Sequence, residues 1–192
     1  MRDAGTAASL VSCRDLESME FVKRLPLLLL LLFAGLLGAA AGSAFAVSSA
    51  SVANLTLPAV VYSHVAQSSS GTMTLTATND ATTGFSVTIL ASNFVYSGVN
   101  AGSPIPAANF SITSAATPVM TAGQAVDATN GPKVPAVSPV GTLDGARKTV
   151  QANAGFGVGT YTQALAVTLS VPGQARAGTY TSTLTTTISA AP

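Results

Sequence analysis

Side chains able to do acid–base, nucleophilic or metal chemistry are scarce in this chain of 192 residues. It holds one histidine, His64, and one cysteine, Cys13. Four of its seven acids, Asp3, Asp15, Glu17 and Glu20, fall in the first 24 positions; the others, Asp80, Asp127 and Asp144, stand apart from one another. A general base needs a nucleophile or an orienting acid within reach, and a metal ion needs several ligands. His64 has no acid near it in sequence, so it reads as a strand-end histidine beside a loop. No D-x-D pattern occurs to seed a calcium site, which leaves only one assembled through space from a single aspartate and carbonyls. No catalytic residue, cofactor or metal is expected.

The remaining candidates are contacts rather than catalysts. Arg147-Lys148 is a paired charge that would suit an anionic polymer such as teichoic acid, or simply a solvated strand start. Eight aromatics follow position 46: Tyr62, Phe85, Phe94, Tyr96, Phe110, Phe156, Tyr161 and Tyr180. Phe94-Val95-Tyr96, or Phe156 among glycines, offers faces of the kind that stack on sugars, whereas Phe85 and Phe110 are expected to fill a core. Asn54-Leu55-Thr56 and Asn109-Phe110-Ser111 match the glycan-acceptor pattern, a match that a bacterial-looking leader deprives of meaning.

That leader is the most explicit signal in the chain. Lys23-Arg24 precede an apolar run from Leu25 to Leu37, which softens into Gly38 to Ser43 and reaches Ala44-Phe45-Ala46. A basic start, an apolar middle and small residues flanking the cut form a secretory signal, with cleavage expected after Ala46. An uncleaved anchor is the alternative, since the run nears spanning length; Pro26 and the Gly/Ala-rich end weaken it. Met19 begins a better-proportioned signal, so Met1 to Ser18 read as an upstream extension. Residues 1-46 are thus extension plus signal, and residues 47-192 one mature domain with no membrane anchor. Cys13 is lost with the leader, and with it every disulfide or thiolate.

Past Ala46 the chain keeps three acids and four bases, Lys133, Arg147, Lys148 and Arg176. So few charges cannot release many counterions from a phosphate backbone, which excludes nucleic acid as a partner. Apolar residues make up 48% of the whole chain and charged ones 8%, the reverse of a disordered composition.

The pattern that must position any contact residue has period two. Met73, Leu75 and Ala77 alternate with threonines, Phe85, Val87 and Ile89 with Ser86 and Thr88, and Leu165, Val167, Leu169 and Val171 with small residues. Each segment then has one face to bury and one to leave wet. Strands are expected at 51–57, 60–65, 71–78, 84–91, 110–114, 148–151, 161–171 and 178–189, with turn residues between them and long loops across 95–146. The fold class is all-β: an antiparallel β-sandwich of about eight or nine strands.

Several segments together resemble one family. They are Val52 to Val60, Gly71 to Asp80, Thr83 to Ile89 with Ala91 to Phe94, and the ending Val171-Pro172-Gly173-Gln174-Ala175-Arg176-Ala177-Gly178-Thr179-Tyr180-Thr181-Ser182-Thr183-Leu184-Thr185. The chain is similar there to WxL-domain proteins, secreted β-sandwich modules of Gram-positive cell walls. Both Trp-x-Leu motifs of that family are altered: Phe85-Ser86-Val87 stand at the first and Thr186-Thr187-Ile188 at the second, in a chain with no tryptophan. The resemblance implies a non-enzymatic cell-surface protein held non-covalently to peptidoglycan or another wall polymer, or to other surface proteins. Phe85, Val87, Phe94, Tyr96, Thr186 and Ile188 are its candidate contacts. The alternative is a subunit of a surface fibre or matrix that assembles by strand-edge pairing.

Overall fold

Strands of unequal length explain the architecture. The computed structural model describes residues 48–137 and 139–190; the leader, its cleavage point and Cys13 lie outside the described residues. Two strands run for 13 residues each, β2 (Gln67–Asn79) and β9 (Gly159–Val171), and they pair antiparallel along their whole length. Their sheet is completed by β1 (Ser48–Val52) beside β2, and by β5 (Phe110–Ala115) and β6 (Val119–Gly123) in succession along the far side of β9. A two-residue strand, β7 (Gly141–Thr142), borders β5.

A second sheet is shorter: β11 (Leu184–Ala190), β3 (Phe85–Ala91) and β8 (Arg147–Ala152), again antiparallel. A ribbon of β4 (Val95–Ser97) and β10 (Thr179–Thr181) continues the β3–β11 pair. All ladders are antiparallel, and the described residues contain no α-helix, only one 3-10 turn at Ala107–Asn109. None of them is a helix long and apolar enough to cross a membrane.

Sequence parity and burial agree in the long strands. Met73, Leu75, Ala77 and Asn79 of β2 are buried, as are Tyr161, Gln163, Leu165, Val167 and Leu169 of β9, while the intervening residues stay at least partly exposed. Phe85, Val87 and Ile89 of β3, with Val150 and Ala152 of β8, supply buried side chains from the second sheet to the same core. The outward faces carry hydroxyl pairs at registered positions, Ser70 with Thr168 at 2.8 Å and Thr78 with Thr160 at 3.1 Å.

Three bulges shape the sheets, and each extra residue is a threonine: Thr113 in β5, Thr121 in β6 and Thr149 in β8. A bulge leaves one residue out of the ladder, so its polar groups need other partners. Thr113 and Thr121 find them by donating their hydroxyls to Ala166 O and Thr160 O of β9. Thr149 turns inward instead, and its carbonyl accepts from Gln163 Nε2 of the opposite sheet at 3.0 Å.

The expected strands at 71–78, 84–91, 110–114, 148–151 and 161–171 stand within a few residues. Two expectations are corrected. Only the start of 51–57 is strand, and 60–65 forms none; residues 53–66 run without ladder partners even though Leu55 and Leu57 keep their inward parity. The expected strand 178–189 is broken into β10 and β11. Between the pairs Thr181–Val95 and Leu184–Ala91, Ser182 and Thr183 face Ser92, Asn93 and Phe94, so one strand has a residue more than its partner. The ladder must bend there. Loop was expected across 95–146, and β4, β6 and β7 lie within it; all are too short for a period to show.

Candidate functional site

At about 3.4 Å per residue, β2 and β9 reach roughly 44 Å, and the facing strands of six or seven residues only roughly 24 Å. The short sheet covers the half of β9 near its start, where Phe85 packs on Tyr161 (ring centroids 6.5 Å apart) and Thr149 meets Gln163. Beyond it, the inward side chains of Val167, Leu169 and Phe110, and the bare backbone at Gly71, need another cover. Leaving a Phe or Leu of this kind in water would sacrifice about 1.5–3 kcal/mol each.

The cover is built from two segments, a strap without ladder partners and a loop that runs through β10 to the start of β11. One is a strap, residues 53–66. Ala53 N–H donates to Thr74 O at 3.1 Å as the strap leaves β1, and Ser69 Oγ donates to Pro58 O at 2.6 Å. Leu55 and Leu57 reach over Gly71, where a β-carbon would lie 3.3 and 3.0 Å from their methyl carbons. Gly71 is what lets a strap without ladder bonds lie this close. At its far end the His64 carbonyl would come within 2.3 Å of a β-carbon on Gly173, so strap and second segment touch there.

The second segment is 172–184. Pro172 O accepts from Ala175 N–H at 2.9 Å, and Tyr180 closes the loop on itself. Its hydroxyl accepts from Arg176 N–H at 3.0 Å and donates to Arg176 O at 3.1 Å, four residues upstream. This is the geometry of a tyrosine corner, a device of antiparallel sandwiches in which a phenol pins the chain entering a strand. It gives the sequence Val171-Pro172 to Tyr180 a structural reason: proline turns the chain and tyrosine locks it. Tyr96 packs against Tyr180 with the rings tilted at 59° and centroids 5.2 Å apart, and it donates its hydroxyl to Ala177 O at 3.0 Å. Tyr180→Phe is expected to lower stability by about 1–2 kcal/mol through loss of both bonds, read as a lowered midpoint in urea with an unchanged slope.

Between the segments lies a cleft of about 880 Å³, floored by Phe94, Ile105, Phe110, Leu169 and Val171. Phe94 meets Phe110 edge-to-face at 5.4 Å and bridges to Ile105 through paired backbone bonds of 2.8 and 3.0 Å. Asn93 Oδ1 accepts from Ala107 N–H at 2.9 Å, which holds the bend that delivers Phe94 to this floor. Arg176 is the one charged residue among those lining the cleft.

The sequence candidates separate into two groups. Phe85 and Val87 are 1% and 0% exposed, and they share their inward face with Thr186 and Ile188, Ile188 directly opposite Val87 in the ladder. The structure therefore brings the two altered motifs side by side, but as core. Thr186 is half-buried and donates its hydroxyl to Ala50 O at 3.2 Å, beneath β1. This corrects the expectation that Phe85 and Val87 contact a wall polymer, because neither has surface to offer. Phe94 and Tyr96 belong to the cleft end, Phe94 as floor and Tyr96 behind Tyr180.

The polar candidates take structural positions. Exposed His64 meets Tyr62 edge-on at 5.4 Å. Asp127 Oδ1 accepts from Thr129 N–H at 2.8 Å and Asn130 N–H at 2.6 Å, and these bonds, Asn130's first, hold its carboxyl below the usual carboxylate range. Burial pushes the Tyr161 phenol above its ordinary value; its hydroxyl donates to Gln124 O at 2.7 Å. Arg147 Nε donates to Thr142 O at 2.8 Å and clamps β7. Among the described residues no three of His, Cys, Asp and Glu gather in a way that could hold a metal ion.

Sequence reasoning missed the strap and the Arg176 rim. The one available signal was the Pro172-Gly173 turn followed by Tyr180, which marks a corner rather than an uninterrupted strand. Comparison with protein-family models, with curated proteins and with solved structures finds no match in any of the three.

Proposed function

We propose that the mature chain is a secreted, non-enzymatic β-sandwich module of the bacterial cell surface, similar to WxL domains, that acts by binding an envelope component in the cleft. The cleft carries this reading. It is a concavity of the size that small ligands occupy, at one end of a pair of sheets, and its lining mixes apolar side chains with polar ones such as Asn54, Thr56, Gln67 and Thr181. The pairing of Val87 with Ile188 supports the family resemblance, since both altered motifs land on one inward face. It also moves any envelope contact away from those motifs and towards the cleft, with hydroxyl rows on β2 and β9 as a second surface.

The test is retention on purified cell-wall sacculi and on whole envelopes, using protein recovered from cells that express the full 192-residue chain. Mass analysis should show a chain beginning at Val47. Retention should be lost in Ala175→Phe, which fills the cleft beside Arg176. Recovery of the uncleaved chain from the cytosol, or equal retention of the variant, would overturn the proposal.

One observation favours the fibre reading as a second possibility. All five residues of β6 are exposed, including Val119 (62%) and Met120 (42%), and none is charged or proline. Such a strand at a sheet border lacks the usual protection against pairing with another chain. Concentration-dependent polymers in size-exclusion chromatography, abolished by Met120→Lys, are the outcome that would select this reading.

A further inference from the structure

We infer that this chain assembles head to tail, the free edge of β6 in one copy pairing with the free edge of β2 in the next. This rests on the strand-edge reading above and names the edge that receives β6. Three observations carry it.

The first is a row of unpaired backbone groups on β2. β1 covers only the last five residues of that strand, Leu75 to Asn79. Ala53 N–H still reaches Thr74 O, and the strap then turns over the inward face at Gly71 instead of following the edge. In an antiparallel ladder, alternate residues turn their N–H and C=O to the same side. Thr74 faces the strap side, so Ser68, Ser70 and Thr72 do too, and among the described residues none of their backbone groups has a protein partner there. All three residues are exposed.

The second is that β6 is the matching half. It pairs with β9 alone, and its five residues are exposed, uncharged and free of proline. Val119 to Gly123 is as long as Ser68 to Thr72. β2 and β6 both run antiparallel to β9, so they point the same way on opposite sides of it. A copy displaced across the sheet therefore offers its β2 to β6 as a parallel strand, with every inward face on one side. Such a contact is heterologous and repeats without closing.

The third is that the sheet leaves room for it. Val119 lies level with Thr76 through Thr162, and Gly123 with Asn79 through Gly159. Bringing Ser68 to Thr72 of the next copy to that level takes a shift of about 25 Å along the strands. The shift carries β1 of the next copy and the β5–β7 border of the first past the two ends of the paired stretch. Met120, which shares the inward face of its partner Tyr161, then lies beside Ser69 and Gly71, where Leu55 and Leu57 of the strap cover its exposed side chain. Two β6 edges would instead set bulge against bulge, and two β2 edges would cover no large apolar side chain.

No cysteine other than Cys13 occurs, so with Cys13→Ser the full 192-residue chain can carry a single one. Val119→Cys and Ser68→Cys chains with tags of different length are expressed in full, mixed and treated with a short bis-maleimide. The mixed product should exceed either same-variant product and rise with concentration. Ser70→Pro, added to the Ser68→Cys chain, removes an edge donor and spares the β9 ladder. It should cut the mixed product about tenfold, as should Met120→Lys in the Val119→Cys chain. Met120→Lys alters an exposed side chain and decides the matter if Ser70→Pro fails to fold by circular dichroism. A mixed product undiminished by a folded blocking variant would refute the contact. Same-variant products alone, from a protein that still polymerises in size-exclusion chromatography, would refute this pairing and leave the strand-edge reading standing. Monomers with no cross-linked product would overturn both.

Discussion

Replacing Gln163 by alanine is expected to destabilise the protein by about 3–5 kcal/mol. Gln163 is 2% exposed in the middle of β9. Its Nε2 donates to Ala116 O at 2.9 Å and to Thr149 O at 3.0 Å, so one side chain ties the long sheet to the bulge of the short one. Alanine would strand two carbonyls and leave a void. The Gln163 Oε1 and Thr149 Oγ1 atoms have no protein partner, and such groups are commonly joined by an internal water. Gln163→Glu is a useful control: it keeps the volume but replaces the donor by a charge in an apolar core, and it should be at least as damaging. Urea unfolding of the three proteins measures this directly. A loss below about 1 kcal/mol for alanine would mean that the link between sheets is not a strong one.

The second large effect is expected from Gly159→Ala. Gly159 opens β9 opposite Gly123 in the ladder, and both have positive φ, 139° and 97°. A β-carbon on Gly159 would lie 2.3 Å from Ala122 O, a backbone atom that cannot swing aside. Strain of this backbone class amounts to about 1–3 kcal/mol, and the steric clash adds to it, so a loss of about 3 kcal/mol is expected. Because β6 is held by β9 alone among the strands, the variant should detach it first. Amide exchange is the discriminating measurement: Val119 to Gly123 should lose protection ahead of β2 and β3. Uniform loss of protection would show instead that β6 is integral to the cooperative unit.

Much of this fold could be read from residue order. The inward faces of β2, β3 and β9 were legible because alternation is a property of an extended chain alone, whatever lies opposite. Extending the parity of Leu165, Val167 and Leu169 backwards even reaches Gln163 and Tyr161. The strap mimics a strand for the same reason. Leu55 and Leu57 alternate as strand residues do, yet what makes a strand is a partner edge, and none runs beside them. β6 escaped notice because Val119-Met120-Thr121 carries no period, and β9 rather than composition holds it extended.

The candidate contacts divide along the same line. Phe85 and Val87 hold a motif position in the sequence, and their burial leaves them no surface. Phe94 takes its place through a bend that sequence does not show, in which two residues of one strand must face three of the other, and Arg176 through a loop that the Tyr180 hydroxyl closes.

Residue order by itself determined the strand faces, the near-absence of charge after position 46 and the scarcity of groups that could do chemistry, because each depends only on side-chain type and local spacing. Tertiary structure decided the rest: which strand would outrun its cover, where that excess would be roofed by a strap, and which lone cation would stand at the opening. Those are relations between segments that local spacing does not place against one another, and their energies depend on what each segment finds across from it.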